Sequence, residues 1–221
     1  IKVDSRMRTS DPDIYAVGDA VEVVNPVTGA PALVALAGPA NKQGRIAADN
    51  ICGIASEYKG TQGSTVIKVF DMTAAVTGLN EKAAKAAGLS YSKVLGYSAS
   101  HAGYYPGGRN MSIKTLFDPD TGRILGAQIV GFDGVDKRID VLAAAIRAGL
   151  TAEDLCELEL AYAPPYSSAK DPVNMAGFLI DNLAKGRLRQ FFLEDLPQLP
   201  QDGSITRLDT RTPAEYAAGH V

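Results

Sequence analysis

The sequence has few residues that bind metals or form disulfide bonds. Its 221 residues contain two cysteines and two histidines. Cys52 and Cys156 are far apart, which excludes a CxxC redox pair, a disulfide framework and a cysteine-based zinc site. Besides His220 there is only His101, so we predict no metal site and expect His101 to be a polar loop residue. The low cysteine content favours a reducing, cytoplasmic setting, and both cysteines are expected to be small buried residues.

Long apolar runs and a strong charge of either sign are also missing. No segment approaches the roughly 18 to 20 uninterrupted apolar residues that a membrane span requires, so we expect no contact with membranes. The 22 basic and 25 acidic residues give a net charge of -3, which argues against a nucleic-acid partner. With 46% hydrophobic residues, the chain is typical of a globular protein that buries one large core or two small ones.

The two ends of the chain indicate a piece of a longer protein. Ile1 is not an initiator methionine. Residues 219–221 stop just as a new segment begins. We therefore expect an excised fragment.

Residues 1–62 alternate short strand-like and helical stretches. The apolar pattern predicts a buried strand at 13–17 and a helix at 38–54. The polar, glycine-bearing stretch 60–64 then indicates a domain boundary.

Residues 63–186 are predicted to form an α+β unit, an antiparallel sheet flanked by helices. Asn80 is expected to cap a short helix that ends at Gly88, and residues 118–122 have the turn chemistry of a β-hairpin loop. Thr151, followed by an acidic first turn, opens a further helix. The predicted strands and the longest helix span 65–70, 74–79, 94–100, 112–117, 124–130 and 137–149.

A motif at residues 9–20, TSDPDIYAVGDA, carries the clearest chemistry. Gly18 lies where a bulky side chain would prevent close approach of the backbone. Asp19 follows at the carboxyl end of the predicted strand, where α/β sheets bind ligands. Since a carboxylate there suits a sugar or polyol hydroxyl, Gly18 and Asp19 are candidate binding residues.

This motif resembles the second flavin-binding motif of the pyridine nucleotide-disulfide oxidoreductases, in which the aspartate holds the ribityl chain of FAD. Residues 36–45, LAGPANKQGR, are similar to the family's helix whose N-terminus points at the flavin ring. A helix N-terminus supplies free N–H groups and positive potential, which suit the electron-rich pyrimidine edge of a reduced flavin. The resemblance implies that Leu36 and Ala37 contact FAD through their backbone.

Two stretches of the second unit resemble the coenzyme A disulfide reductases and the related NADH oxidases and persulfide reductases. Residues 161–177 are similar to the closing segment of their dimerisation domain, which crosses to the partner subunit's flavin and substrate site, and residues 100–108 resemble a tyrosine-bearing loop. The resemblance implies that Tyr104 and Tyr162 reach the partner's reactive sulfur in a homodimer, with Tyr105 a rival to Tyr104. A phenol can hydrogen-bond a thiolate or act as a general acid. From the residues alone, Tyr162 fits an interface or core aromatic.

Residues 205–221 resemble the opening of a rhodanese domain. A strand at 205–208 would end at Asp209, Arg211 precedes a helix that begins with proline, and Gly-His-Val leads to the next strand. The sulfur-carrying cysteine loop of that family is absent from the chain. The predicted segments are the C-terminal part of an FAD-binding domain at 1–62, a dimerisation domain at 63–186, a linker at 187–203 and the start of a truncated rhodanese domain at 204–221.

Together these resemblances imply a flavin-dependent NAD(P)H reductase of coenzyme A disulfide or coenzyme A persulfide. Electrons would pass from the nicotinamide to FAD and then to a cysteine that attacks the sulfur-sulfur bond. FAD, NAD(P)H and coenzyme A would serve the complete protein. The chain has no GxGxxG unit and no N-terminal redox cysteine, so we expect it to be inactive alone and without bound cofactor. An NADH oxidase or peroxidase, and a catalytically silent dimerisation module, are the alternatives.

Overall fold

The computed structural model describes residues 1–206 and 208–219. The chain divides into two compact units, Ile1–Leu188 and Arg189–Val221. Of the described residues, those of the first unit form all seven strands and five of the six α-helices.

The N-terminal part of the first unit contains a small sheet and one long helix. Strand β1 (Glu22–Val24) pairs antiparallel with β2 (Pro31–Leu33), after a 3-10 turn over Gly18–Ala20. Helix α1 spans Ala37–Ile51, so the helix predicted over 38–54 is present and ends three residues earlier than expected.

The buried strand predicted at 13–17 is wrong. Among the described residues this stretch makes one isolated antiparallel bridge, between Tyr15 and Arg8, and both Ile14 and Val17 are exposed. A strand needs several consecutive bridges to a neighbouring strand. Here the described residues form only one. The apolar pattern could not show this, because it reports side chains and not the presence of a partner.

The prediction that both cysteines are buried is also wrong for Cys52, which is exposed. The buried residues of α1 are Gln43 and Ala47, and Cys52 lies just beyond the end of that helix. Cys156 is half-buried in α4, Ala152–Glu157. Burial raises the pKa of its thiol, which makes Cys156 a weak nucleophile at neutral pH.

Five antiparallel strands form the main sheet in the order β3-β4-β7-β6-β5. Strands β3 to β7 span Thr65–Val69, Met72–Gly78, Ser92–Ala99, Asn110–Phe117 and Ile124–Gly131. The predicted hairpin loop at 118–122 joins β6 to β7, and Oδ1 of Asp118 accepts hydrogen bonds from the N–H groups of Asp120 and Thr121. Such a loop closes an antiparallel pair without a crossover, which confirms the predicted arrangement.

Helices lie on both faces of this sheet, whose edge strand β3 is exposed. On one face α3 (Val135–Ala148) packs against β4 and β7, while α5 (Pro172–Ala184) packs against β5, β6 and α4. On the other face lies α2 (Glu81–Ala86), which Asn80 caps as predicted. The larger core contains Val94, Met111, Ile113, Phe117, Ile124, Ile129, Ile139, Leu142, Leu155 and Val173, and the smaller contains Leu79, Ala84, Leu116 and Leu125. The α+β prediction, with helices flanking an antiparallel sheet, is confirmed.

Glu81 of α2 joins two lysines of the sheet. Its carboxylate lies 3.0 Å from Nζ of Lys93 and 2.8 Å from Nζ of Lys114. Burial acts to raise the pKa of Glu81, but the hydrogen bonds and charges of the two lysines outweigh it and lower the pKa from 4.5 to about 2. A carboxyl group with a lowered pKa in the folded state stabilises the fold above its unfolded pKa, and this contribution is lost as the pH falls.

We expect Glu81→Gln to lower the free energy of unfolding by about 1–2 kcal/mol near neutral pH, since solvent screening reduces the full linkage value. The difference from the wild type should shrink between the unfolded pKa of 4.5 and the folded pKa of about 2. Urea titrations across this range measure it. Exposed Glu159, which forms no ion pair with any described residue, gives the control Glu159→Gln. An equal Glu81→Gln effect at neutral and acid pH would contradict the assignment.

The second unit contains a 3-10 turn over Leu193–Gln198 and helix α6, Pro213–Ala218. The predicted helix that begins with proline is therefore confirmed. Thr212 caps it by accepting a hydrogen bond from the N–H of Glu215.

The two strand predictions in the second unit involve residues that the structure does not describe. Arg207 of the strand predicted at 205–208 is one of them, and the three described residues of that stretch form no strand. Residues 220 and 221, at which a further strand was expected to begin, also lie outside the described residues.

Candidate active site

Gly18 and Asp19 lie in a turn that is tied to α1. The N–H of Gly18 donates to Oε1 of Gln43 at 2.7 Å, and Gln43 is fully buried. Gly18 has a φ of +82°, which side chains other than glycine rarely adopt. Asp19 is exposed, and no described residue donates to its carboxylate. The carboxylate is therefore available to a hydroxyl from outside the chain.

Leu36 and Ala37 form the start of α1. Leu36 is the N-cap residue, and its side chain makes no capping hydrogen bond. The N–H groups of Ala37 and Gly38 have no acceptor among the described residues, and Pro39 has no N–H. Two unpaired donors thus lie at the positive end of a helix of 15 residues, which suits an electron-rich ligand.

Tyr104 and Tyr162 meet through their hydroxyl groups. The two oxygens are 3.0 Å apart, although the residues are separated by 58 positions. Tyr104 is 77% exposed and Tyr162 is 46% exposed. The hydrogen bond with Tyr104 raises the pKa of Tyr162 because it favours the neutral phenol. No hydrogen bond between described residues links this pair to Gly18 or Asp19.

Tyr105 makes a different contact. Its ring lies edge-on to that of His101, with centroids 5.6 Å apart and an interplanar angle of 82°. His101 is 5% exposed, and its Nδ1 lies 3.2 Å from the carbonyl oxygen of Ala102. His101 is thus a loop residue buried beneath the tyrosine loop, and of the two neighbouring tyrosines it is Tyr104 that meets Tyr162.

A buried arginine lies near Tyr162. Arg138 of α3 is 1% exposed. The two N–H groups of Nη2 are shared among several acceptors, which include the carbonyl oxygens of Ser100 at 2.9 Å and Tyr166 at 3.3 Å and Oγ of Ser167 at 3.1 Å. The same nitrogen lies 3.1 Å from Oδ2 of Asp171. Arg138 therefore contacts the segments that carry both tyrosines.

Asp171 neutralises this arginine and begins α5. Its Oδ2 accepts a hydrogen bond from Oγ of Ser167 at 2.6 Å, and its Oδ1 accepts one from the N–H of Val173 at 3.0 Å. Burial acts to raise the pKa of Asp171, but these hydrogen bonds and the charge of Arg138 outweigh it, so the pKa is lowered. Asp171 is therefore ionised at neutral pH.

A surface cavity of about 450 Å³ opens beside Tyr162. It is lined by Asp133, Gly134, Lys137, Arg138, Ala161, Tyr162, Ala163, Pro165 and Tyr166. Small-molecule sites commonly have volumes of this order, roughly 300–1,000 Å³, so a ligand has room next to the Tyr162 side chain.

Reasoning from the sequence did not identify Gln43, Arg138, Ser167 or Asp171. A signal existed for Arg138, because it occupies a position on the apolar stripe of α3. The buried residues of that helix are Val135, Arg138, Ile139, Leu142, Ala145 and Ile146. Asp171 also had a local signal, because it caps the helix that begins at Pro172. Gln43 and Ser167 gave no comparable signal, since Gly18 and Arg138, which they contact, are distant in sequence.

Two kinds of feature are absent from the described part of the chain. No group of three or more histidine, cysteine, aspartate or glutamate side chains could hold a metal ion there. None of its helices is both long enough and apolar enough to span a membrane.

Known proteins are similar to this chain in fold and in sequence. Residues 64–172 match the family model of the pyridine nucleotide-disulphide oxidoreductase dimerisation domain. A coenzyme A disulfide reductase of Staphylococcus haemolyticus (strain JCSC1435) is 40% identical over 179 residues, which are 80% of this chain and 40% of that protein. An NADH oxidase of Methanocaldococcus jannaschii is 38% identical over 176 residues, 80% of this chain and 39% of that protein. The chain thus spans about 40% of the length of these relatives.

Two solved structures are also similar. The reduced CoADR-RHD of Bacillus anthracis is 50% identical with a TM-score of 0.94, and the match covers 100% of this chain and 40% of that one. A NAD-dependent persulfide reductase from A. fulgidus is 46% identical with a TM-score of 0.83, over 84% of this chain and 35% of that one. From the fold, the matched domain and these similarities, the chain belongs to the pyridine nucleotide-disulfide oxidoreductase family.

Proposed function

We propose that the chain is part of a flavin-dependent NAD(P)H reductase of coenzyme A disulfide or coenzyme A persulfide. It supplies part of the FAD site, the dimer interface and two tyrosines that reach the partner's active site in a homodimer. The observation that carries this proposal is the contact between the exposed hydroxyl groups of Tyr104 and Tyr162 at 3.0 Å.

The tyrosine pair has the chemistry that a sulfur substrate needs. Two neutral phenols have two O–H donors, and their mutual hydrogen bond uses one, so the other remains available to a thiolate or a leaving sulfur. Tyr162 is protonated at neutral pH, since even the ordinary tyrosine pKa of 10.0 lies well above 7 and the pKa of Tyr162 is raised from it. The relatives named coenzyme A disulfide reductase and persulfide reductase support a sulfur compound as the substrate.

The residues at the N-terminal part of the chain fit the proposed FAD. The exposed, unpaired carboxylate of Asp19 would accept hydrogen bonds from the ribityl hydroxyls. The unpaired N–H groups of Ala37 and Gly38, next to the N-cap residue Leu36, would face the pyrimidine edge. When bound, FAD supplies the transfer of electrons from NAD(P)H to sulfur.

The proposal includes the segments expected from the sequence. These are an FAD-domain part at 1–62, a dimerisation domain at 63–186, a linker at 187–203 and the start of a rhodanese domain at 204–221. The reducing, cytoplasmic setting expected from the cysteine content is also part of it.

We expect Tyr104→Phe and Tyr162→Phe, made in the complete reductase, each to lower kcat for coenzyme A disulfide or persulfide by about 100-fold or more. Each change removes one hydroxyl and leaves the ring, so proton donation is lost while packing is retained. Steady-state kinetics with NADH and NADPH measure the effect.

The matched control is Tyr105→Phe, because Tyr105 lies next to Tyr104 and contacts His101 through its ring. Its activity should stay within about twofold of the wild type, since that contact does not need the hydroxyl. Full activity of both Tyr104→Phe and Tyr162→Phe would overturn the proposed role.

An NADH oxidase or peroxidase is the second candidate, favoured by the relative that bears the name NADH oxidase. In that case the complete protein would consume oxygen or peroxide with NADH and would not reduce coenzyme A disulfide or persulfide. A protein that neither binds flavin nor oxidises NAD(P)H would instead be a dimerisation module.

A further inference from the structure

Packing of the Tyr104 ring does not fix the contact between the two tyrosines, because Tyr104 is 77% exposed. Both side chains lie at the surface, and they come from a loop after β5 and from the segment before α5. An exposed phenol samples several rotamers unless its backbone is fixed. The distance between the two hydroxyls must therefore depend on the contacts that hold the backbones of the two segments together.

Those two segments are joined at a few buried polar contacts. The Arg138 guanidinium donates to the carbonyl of Ser100 at the base of the Tyr104 loop, and to the carbonyl of Tyr166 and Oγ of Ser167 just after Tyr162. The N–H of Ala102 donates to the carbonyl oxygen of Ser167 at 2.9 Å. The loop and the segment thus share one hydrogen-bonded base.

A guanidinium suits this position in a way that other side chains do not. Its planar fork directs several donors at once, and it stays charged when buried. Besides the bonds of Nη2, Nε lies 3.4 Å from Oδ1 of Asp171 and Nη1 donates to the carbonyl of Gly134 at 3.2 Å. A well-packed apolar group could stabilise the fold as well as a buried ion pair, but it could not hold carbonyl groups from two segments.

We infer that Arg138, Ser167 and Asp171 are positioning residues, whose hydrogen bonds set the distance between the Tyr104 and Tyr162 hydroxyls for the reaction. Arg138 binds both segments, Ser167 links Arg138 to Asp171, and Asp171 fixes the guanidinium. This inference rests on the proposed function of the tyrosine pair.

Two variants test the inference. Ser167→Ala removes only the hydroxyl that bridges Arg138 and Asp171. Arg138→Lys keeps a positive charge near Asp171, but a single ammonium cannot occupy both the Nη2 position that binds the two segments and the Nε and Nη1 positions that bind Asp171 and Gly134. In each variant we expect the Tyr162 pKa to fall from its raised value toward the ordinary value of 10.0, because the tyrosines separate. NMR titration of isotope-labelled tyrosine rings in the 221-residue chain measures this, with Tyr162 assigned from Tyr162→Phe.

Kinetics of the complete reductase give the second readout. Misplacement of the hydroxyls should lower kcat by about 10- to 100-fold, while KM changes by less than about twofold, since the substrate's other contacts are retained. Glu81→Gln is the control, because it removes two partly exposed ion pairs on the other face of the sheet without touching either tyrosine segment. It should lower stability yet leave the Tyr162 titration and kcat unchanged.

The outcomes separate the two proposals. The positioning role would be overturned if Ser167→Ala and Arg138→Lys both fold and both keep the wild-type Tyr162 titration and kcat. If only one of the two variants folds, the result for that variant decides. A different result would be a changed Tyr162 titration in Ser167→Ala and Arg138→Lys together with full activity of Tyr104→Phe and Tyr162→Phe. It would support the role of the hydrogen-bonded base in holding the tyrosines and would reject the proposed function.

Discussion

Replacing Asp171 by alanine is expected to lower the free energy of unfolding by about 3–5 kcal/mol, because it leaves a buried arginine without its counter-ion. The side chains of Arg138 and Asp171 are both almost completely inaccessible, and they lie 3.1 Å apart. The change also removes the N-cap of α5, which is worth about 1 kcal/mol in other helices. Urea unfolding of the chain, followed by circular dichroism, measures the loss.

The control for Asp171→Ala lies on the same helix. Asp181 forms an ion pair with Lys185 at 2.6 Å, and the lysine side chain is largely exposed. Because solvent screens such pairs, Asp181→Ala should cost less than about 1 kcal/mol. Equal effects of the two changes would show that the burial of Arg138 does not determine the cost.

The second large effect is expected at Gly126 of β7. A Cβ placed there would overlap the backbone of Leu79, lying 2.7 Å from its carbonyl carbon and still closer to its carbonyl oxygen. This backbone cannot move freely, because the N–H of Leu79 donates to the carbonyl oxygen of Leu125 at 3.0 Å. We expect Gly126→Ala to destabilise the chain by about 3 kcal/mol or more, measured as a shift of the thermal unfolding midpoint.

Gly44 provides a control of opposite sign. It lies inside α1, and a Cβ there would meet nothing within 4 Å. Since alanine is the better helix former, Gly44→Ala should stabilise the chain by about 0.5–1 kcal/mol. If Gly126→Ala were tolerated as well as Gly44→Ala, the result would contradict the close approach of β7 to the backbone of Leu79.

The elements that were predicted correctly have local signals in the sequence. The hairpin loop at 118–122 and the cap at Asn80 are determined by residues a few positions apart, and both are found as expected. The stretch 13–17 shows the limit of such signals. Its residues are suited to a strand, but strand formation depends on a neighbour that the pattern does not report.

The candidate site was predicted from a different kind of signal. Tyr104 and Tyr162 were singled out by resemblance to known motifs, and the structure shows that their hydroxyls meet. Composition and spacing gave no reason to pair residues so far apart. The buried base of Arg138, Ser167 and Asp171 could not be predicted, because the hydrogen bonds that join Arg138 to Ser167 and Asp171 depend on tertiary packing.

The hydrogen bond between Gly18 and Gln43 has a consequence for ligand binding. Gln43 is fully buried on α1, so its side-chain amide cannot reorient without opening the packing around it. This hydrogen bond therefore ties the turn that presents Asp19 to the helix that presents the free N–H groups of Ala37 and Gly38. A ligand that bridges the carboxylate and the helix start meets two backbone segments already held together, so it has to order the Asp19 side chain but not the two segments.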